Sequence, residues 1–442
     1  MIKKITILVF LTTILFGKFD YDFSVHKMGN GKGNTLLIIG GIQGDEPGGF
    51  TAASLIVTKY KIKNGNVWIV PNLAFESIIK RSRGVYGDLN RKFANLKKSD
   101  PDYKVIQRIK KLITNEQVDI IVNLHDGSGF YRKNYKTKMK NPNRWGQCSI
   151  IDQEKLENVK FGNLKEISTK IVQRVNKYSL NKEYNYLVNN TKTGQGNKEM
   201  AKTLTWYAVK NNKPAFGNEA SKSFLTNTRA YYHLLAVEGF MEYLGIEFEK
   251  DFKLSPKNIK IAMNDDIKIA MNNKILFSDI VGARKWINYL PLQKGIKLKA
   301  SSTNPLTVVI NDGNNYRIHY GNRRISYIMP QYFDYDNSIN KVDFLIDGKN
   351  KTIEFGSNIE VDDDFLVKPK DGYRVNVIGF TQKNMKNESG IKVSKKDFIK
   401  RFSVDKKGSI FRVEIYNEKN NKFAGMILVK FVDKNLNYNK KF

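Results

Sequence analysis

Apolar, strand-like runs alternate with helical stretches over roughly the first 250 residues, and this alternation limits the possible folds most. Residues 35–40, 67–70 and 118–124 are short apolar runs, whereas residues 49–60 and 103–115 have helical patterning. Strands separated by helices predict an α/β fold with much parallel pairing in its sheet. Functional residues of such sheets gather just beyond the carboxyl ends of the strands. Two polar clusters lie there: GIQGDE follows the first run and HDGSG follows the third.

The pattern changes after about residue 252, where helical periodicity fades and short β-like runs follow one another. The hexapeptide IKIAMN occurs at residues 259–264 and again at residues 267–272. We expect this repeat to form a hairpin that turns at residues 264–266. The many short runs beyond it predict two small all-β domains, first a barrel-like one and then an immunoglobulin-like sandwich.

The beginning of the chain resembles an export signal in composition. Lys3 and Lys4 precede an apolar run at residues 5–16, which is too short for a stable membrane span. The only cysteine is Cys148, so the chain cannot form an internal disulfide. We therefore expect a signal peptide, a periplasmic location and no membrane span after cleavage. The expected organisation is a signal peptide over residues 1–17, a catalytic domain over 18–250, a β-barrel-like domain over 251–336 and a β-sandwich over 337–442.

The chain is strongly basic, with 75 Lys and Arg against 43 Asp and Glu and a formal net charge of +32. Such a field attracts polyanions and acidic surfaces. The basic residues are mostly lysines scattered through all segments, without a zinc finger, an RNP-type strand or an Arg-rich arm. We therefore expect no nucleic-acid partner. The charge is typical either of a solvated surface or of attraction to an acidic polymer where the protein works.

The two polar clusters contain residue types that bind metals. Gln43 and Glu46 are three positions apart in a glycine-rich loop, so both side chains can reach one ion. His125 ends a buried run and is one of four histidines. A catalytic zinc needs three protein ligands and an open position, and these residues would supply two oxygens and one nitrogen. Taken singly, the loop is equally typical of a plain turn, and a lone histidine is usually structural.

Other polar residues suit the recognition and cleavage of a substrate with a carboxylate. Arg83 and Arg91 flank a short loop, and an arginine can bind a carboxylate with two parallel hydrogen bonds. An arginine near a metal can also stabilise a developing oxyanion. Glu219 ends a late apolar run, and a carboxylate beside a metal can act as general base. A basic surface loop and a solvated glutamate are the alternatives when each is considered alone.

The order of these residues resembles that of the zinc carboxypeptidases with the carboxypeptidase A-like, or funnelin, fold. That family has His-x-x-Glu, an arginine, Asn-Arg, a third-ligand histidine and a late catalytic glutamate. The resemblance covers roughly residues 25–245 and implies an α/β/α catalytic domain with a mixed sheet and one Zn²⁺ ion. It implies metal ligation by Gln43, Glu46 and His125, polarisation of the scissile carbonyl by Arg83, binding of the substrate's terminal carboxylate by Asn90 and Arg91, and general base and acid catalysis by Glu219.

The first ligand departs from the family pattern, because Gln43 stands where the family has histidine. An amide oxygen is a poorer zinc ligand than imidazole. The glutamine, the signal peptide and the two β domains resemble the peptidoglycan DL-carboxypeptidases of helical Gram-negative bacteria. That resemblance implies removal of meso-diaminopimelate from a muropeptide tripeptide stem, leaving a dipeptide, and a role in helical cell shape. It also implies that Trp145 and Thr205 line the substrate pocket, and that the β domains contact cell wall or proteins.

Two alternatives to this function are open. GDEP and DLNRKF also resemble motifs of the N-acyl amino acid deacylases of the aspartoacylase and succinylglutamate desuccinylase type. The signal peptide and the β domains argue against a deacylase of the cytosol. The second alternative is a cell-wall-binding protein without activity, which Gln43 favours and which the general base Glu219 argues against.

Overall fold

The architecture comes from a computed structural model that describes residues 22–265, 267–272, 275–380 and 385–432. The expected signal peptide lies outside these residues. Within the described ranges, no helix is both long and apolar enough to cross a lipid bilayer. The elements up to residue 262 are, in chain order, β1 (His26–Gly29), β2 (Thr35–Ile39), α1 (Pro47–Lys59), β3 (Tyr60–Asn64), β4 (Asn66–Val70), α2 (Phe75–Lys80), α3 (Tyr103–Ile113), β5 (Ile120–Gly127), β6 (Phe130–Tyr131), β7 (Lys140–Asn141), β8 (Cys148–Ile151), α4 (Leu164–Lys177), β9 (Leu187–Asn190), α5 (Leu204–Lys210), β10 (Ala215–Ser221), α6 (Thr226–Tyr243), β11 (Glu247–Lys250) and α7 (Pro256–Ala262).

A seven-stranded mixed sheet forms the centre of the first unit, in the order β1-β4-β2-β5-β10-β8-β9. The four central strands β4, β2, β5 and β10 are parallel, whereas β1 and β8 are antiparallel to their inner neighbours. Every residue of the four central strands is buried, so helices must cover both faces of the sheet. The predicted α/β/α architecture with a mixed sheet is confirmed.

The helices bury the apolar sides that their sequences supply. In α3 the buried residues are Ile106, Ile109 and Ile113, spaced three and four apart, and they join the core of the first unit. Helix α1 begins with Pro47, whose fixed φ and missing N–H suit the first turn of a helix. The first turn of α1 therefore follows directly on the loop that contains Gln43 and Glu46.

The hairpin expected from the IKIAMN repeat is wrong. The first copy lies mostly in helix α7, which Ser255 caps by accepting a hydrogen bond from the backbone N–H of Asn258. Ile259 and Ala262 of that helix belong to the core of the first unit, which thus extends past residue 250. The second copy contributes a strand, Ile269–Met271, that pairs with other strands. The cap and the contact with the first core decide between helix and strand for the same hexapeptide.

The described residues beyond α7 fold into two small β units. The first contains β12 (Ile269–Met271), β13 (Ile275–Phe277), β14 (Trp286–Gln293), β15 (Ala300–Ser302), β16 (Thr307–Asp312), β17 (Asn315–Tyr320) and β18 (Arg323–Phe333), in sheets ordered β13-β12-β15 and β14-β18-β17-β16. The second contains β19 (Lys341–Ile346), β20 (Lys349–Glu354), β21 (Asn358–Val361), β22 (Asp364–Val367), β23 (Tyr373–Val377), β24 (Val393–Ser394), β25 (Ile410–Asn417) and β26 (Phe423–Phe431), in sheets ordered β20-β19-β22-β24 and β21-β26-β25-β23. The predicted class, two all-β units after an α/β unit, is confirmed.

The middle β unit shares its core with both neighbours. Phe50 and Phe75 of the first unit and Phe423 of the last belong to the same buried apolar cluster as the middle strands. Gly321, between β17 and β18, lies so close to Phe50 that a Cβ there would be 3.1 Å from the ring. These contacts join the middle unit to the helices beside the seven-stranded sheet. The exact domain limits at residues 251–336 and 337–442 stay predictions.

Candidate active site

The edge of the central sheet brings together residues that are far apart in the chain. Strands β5 and β10 are parallel and in register, with His125 directly beside Glu219. Strand β2 pairs with β5 on its other side, so the loop after β2 reaches the same edge. His125 Nδ1 lies 3.0 Å from Gln43 Oε1 and 3.0 Å from Glu46 Oε2. The three residues singled out as ligands thus present their donor atoms to one point.

Asp88 determines which end of the Gln43 amide faces that point. Gln43 Nε2 donates a hydrogen bond of 2.8 Å to Asp88 Oδ1, which leaves Oε1 turned toward His125. Asp88 also accepts from Arg83 Nε at 3.0 Å. Burial acts to raise the pKa of Asp88, but the bond from Gln43 and the charge of Arg83 outweigh it and lower that pKa. Asp88 therefore stays ionised and holds the glutamine with its oxygen forward.

Glu46 is held from several sides. Its Oε2 accepts the backbone N–H of Asp126 at 3.1 Å, and its Oε1 lies 3.3 Å from Arg83 Nη1 and 3.5 Å from Lys222 Nζ. Burial acts to lower the pKa of His125, yet the neighbouring Glu46 carboxylate raises it overall. The pocket thus keeps a carboxylate and an imidazole in direct contact, and both are buried.

These three residues fit a divalent metal ion. Zinc ligands lie about 2.0–2.2 Å from the ion, so their donor atoms must be grouped within roughly 3–4 Å of one another. The spacings of Gln43 Oε1 and Glu46 Oε2 from His125 Nδ1, both 3.0 Å, meet this requirement for two of the three pairs. Within the described residues, no group of three or more His, Cys, Asp and Glu side chains is placed to hold a metal. The amide oxygen of Gln43 is therefore needed to complete a three-ligand site.

Glu219 is the buried acid of the site. Its Oε2 has no hydrogen-bond partner in the described part of the chain. Burial raises the pKa of Glu219 to about 8, although the nearby His125 acts to lower it. Gly127 provides the room for this carboxyl group, because a Cβ there would lie 2.7 Å from Glu219 Oε2. An acid with these properties beside a metal site suits a general base that later returns the proton.

One cleft is lined by every residue singled out from the sequence, namely Gln43, Glu46, Arg83, Asn90, Arg91, His125, Trp145, Thr205 and Glu219. Asn90 and Arg91 lie on a short 3-10 helix, Leu89–Arg91, which Asp88 caps. Asn90 Oδ1 accepts the backbone N–H of Leu204 at 3.0 Å, so its Nδ2 faces the cleft side and His125. The arginines and the asparagine amide thus place donors for a carboxylate around the point where Gln43, Glu46 and His125 converge.

Sequence reasoning missed residues that hold the others in place. Asp88 and Lys222 gave no signal of their own, because their partners lie elsewhere in the chain. Asp126 is fully buried and accepts from Gly48 N at 2.8 Å, Arg229 Nη1 at 2.9 Å and His233 Nε2 at 3.1 Å. It thereby ties β5 to the first turn of α1 and to α6. Its position directly after His125 was the available hint.

The pKa of Glu219 predicts how the metal-stripped protein responds to pH. Between the usual pKa of 4.5 and the folded value of about 8, the folded protein holds a proton that the unfolded chain has lost. The contribution of Glu219 to stability therefore falls as the pH rises through this window, and the raised pKa of His125 acts in the same direction. Denaturant unfolding after EDTA treatment isolates this contribution: relative to Glu219→Gln, the unaltered protein should lose stability between pH 4.5 and about 8. An unchanged slope in the variant would contradict the assignment.

Substitution of Gln43 tests whether its side-chain oxygen is a metal ligand. A histidine there can bind metal through one nitrogen and donate the other N–H to Asp88, so Gln43→His should keep the metal. Gln43→Leu removes the oxygen and should weaken binding by more than the roughly 10–100-fold typical of residues behind a ligand. Competition against a chromophoric chelator measures both affinities. Equal affinities of Gln43→Leu and the unaltered protein would mean that Gln43 is no ligand.

Comparisons with known proteins agree with the fold and with the family resemblance seen in the sequence. Residues 2–264 match the family model for the catalytic domain of carboxypeptidases controlling helical cell shape, peptidase family M99. Residues 335–432 match the model for the C-terminal domain of a metallo-carboxypeptidase. No curated protein matches the chain by sequence.

Solved structures of the cell shape determinant protein Csd4 from Helicobacter pylori are similar to this chain over nearly its whole length. The apo form has a TM-score of 0.85 and 38% identity, covering 93% of this chain and 100% of that chain. The tripeptide-bound form has a TM-score of 0.84, 38% identity and the same coverage. The mDAP-bound form, described as a D,L-carboxypeptidase, has a TM-score of 0.85 and 39% identity over 92% and 100%. The resemblance predicted from the sequence is therefore confirmed, and the chain is a metallocarboxypeptidase of the M99 family, whose members control helical cell shape.

Proposed function

We propose that this enzyme is a periplasmic, zinc-dependent D,L-carboxypeptidase that removes meso-diaminopimelate from the tripeptide stem of peptidoglycan muropeptides. The remaining product is a dipeptide, and the activity contributes to helical cell shape. The observation that carries the proposal is the convergence of Gln43, Glu46 and His125 beside the buried Glu219. The similar H. pylori protein is known with a tripeptide and with mDAP bound, which supports a peptidoglycan-derived peptide as substrate.

Zn²⁺ is the ion we propose for the three-ligand site. One imidazole nitrogen and two oxygens, with a further position open, suit a catalytic zinc. When bound, zinc supplies a Lewis acid for the scissile carbonyl and makes water a stronger acid. The chain itself orients the ligands: Asp88 turns the Gln43 oxygen forward, and the backbone N–H of Asp126 holds Glu46.

Glu219 moves the protons in the proposed reaction. Its unpartnered Oε2 is buried at the cleft, where it can accept the proton of the attacking water and deliver it to the departing amine. In the metal-free protein burial raises the pKa of Glu219 to about 8, and a cation bound beside it would favour the ionised form that accepts the first proton. The same carboxyl group can take up the proton from water and later release it to the amine.

The two arginines bind different parts of the substrate, the scissile carbonyl and the terminal carboxylate. Arg83 is held at the cleft wall by Asp88 and Glu46, and its remaining N–H donors can stabilise the carbonyl oxygen as negative charge develops there. Arg91 is held by the carbonyl oxygen of Asn90 and by Glu199, and together with Asn90 it can bind the terminal carboxylate. Recognition of a free carboxylate restricts cleavage to the last residue of the chain.

Muropeptide analysis by mass spectrometry tests this proposal. The zinc-loaded protein should convert tripeptide to dipeptide with release of meso-diaminopimelate, and EDTA should abolish the conversion. Glu219→Gln should lower turnover by about 10²–10⁴-fold while it still binds zinc, since general acid–base catalysis has that magnitude. Glu414→Gln is the matched control, because Glu414 is also buried with a raised pKa but lies in β25.

Three outcomes would contradict the proposal. Near-normal turnover by Glu219→Gln would remove that residue from its role. Turnover of N-acetylaspartate or N-succinylglutamate alone, without muropeptide cleavage, would favour a deacylase. Binding of the peptidoglycan without any product release in the zinc-loaded protein would favour a cell-wall-binding function.

A further inference from the structure

The two nitrogens of His125 have different neighbours. Nδ1 faces the oxygens of Gln43 and Glu46, so it is the nitrogen that would bind a metal. A metal-binding nitrogen must offer a lone pair, and the other nitrogen of a neutral imidazole then carries the proton. Nε2–H of His125 would therefore need a hydrogen-bond acceptor.

The groups near Nε2 are instead two amide nitrogens. Asn123 Nδ2 lies 2.7 Å from His125 Nε2, and Asn90 Nδ2 lies 3.5 Å from it. Asn90 cannot turn without losing the bond that its Oδ1 accepts from Leu204. Asn123 has no such constraint, because its buried Oδ1 lacks a hydrogen-bond partner among the described residues. The oxygen and nitrogen ends of an amide are nearly equal in size, so a half-turn of Asn123 brings Oδ1 to Nε2.

We infer that Asn123 is a positioning residue, whose Oδ1 accepts the Nε2–H of His125 and so leaves the Nδ1 lone pair free for the metal. This inference rests on the proposed role of His125 as a ligand. The bond also fixes the ring plane, because Asn123 is fully buried in the same strand, two residues earlier. Asn90 Nδ2 is then not required by His125 and stays available to the substrate.

A second Asn–His pair in the chain needs the opposite arrangement. His233 Nε2 lies 3.1 Å from Asp126 Oδ1, so Nε2 must carry the proton and Nδ1 must accept. Asn218 Nδ2 lies 2.8 Å from that Nδ1 and donates correctly as it stands. Asn218 thus needs no half-turn, and the tautomer of the histidine distinguishes the two pairs. Asn218 is therefore the matched control for Asn123.

Zinc affinity of three variants tests the inference, with folding of each checked by circular dichroism. Asn123→Leu keeps the size of the side chain but offers no acceptor, so it should weaken zinc binding by about 10–100-fold. Asn123→Asp keeps an acceptor and should bind zinc at least as tightly as the unaltered protein. Asn218→Leu should leave zinc affinity unchanged, because His233 is no ligand.

Nitrogen NMR of the zinc-loaded protein gives a second result that needs no variant. Long-range ¹⁵N–¹H correlations distinguish the two ring nitrogens, and the chain has only four histidines to assign. His125 should carry its proton on Nε2. A proton on Nδ1, or unchanged zinc affinity in Asn123→Leu, would overturn the inference. His125→Ala distinguishes a failure of the metal site from a failure of the role of Asn123. If His125→Ala loses zinc while Asn123→Leu does not, His125 is a ligand and Asn123 does not position it.

Discussion

The parallel, in-register pairing of β5 with β10 is the constraint on which the rest of the site depends. The hydrogen bonds between these strands hold His125 beside Glu219, and β2 delivers its loop to the same edge from the other side. A slip of one residue would turn His125 to the opposite face of the sheet. Since all three strands are buried along their whole length, such a slip would also disrupt the core. Buried strands therefore fix the position of His125 relative to Glu219, and the loop after β2 brings Gln43 and Glu46 to them.

The carboxylates Asp88, Asp126 and Glu219 differ in how their charges are stabilised. Asp88 is matched by Gln43 and Arg83, and Asp126 by a histidine, an arginine and a helix N-terminus. Glu219 lacks such partners for its inner oxygen, and burial raises its pKa accordingly. A buried acid whose charge is only partly matched by hydrogen bonds and opposite charges lowers the stability of the fold. Such groups are typical of functional sites. The same environment that makes Glu219 costly to bury brings its pKa close to neutrality.

The sheet edge could be predicted from the sequence because apolar runs followed directly by polar residues reveal where buried strands end. This signal was sufficient for His125 and for the loop after β2. It failed for the IKIAMN repeat, where Ser255 and contacts with the first core turn one copy into a helix. It also failed for Asp88, Asn123 and Lys222, whose roles depend on partners brought close only by the fold. Local sequence therefore locates the site, and tertiary contacts decide how its ligands are oriented.

Anomalous diffraction at the zinc edge from crystals of the zinc-loaded protein is the most direct test of this account. The central claim is that one ion is bound by His125 Nδ1, by Glu46 and by the oxygen of Gln43, within reach of Glu219. The account predicts one strong anomalous peak at that point, with the Gln43 nitrogen still bonded to Asp88. A peak at another place, or zinc bound there without Gln43, would contradict it.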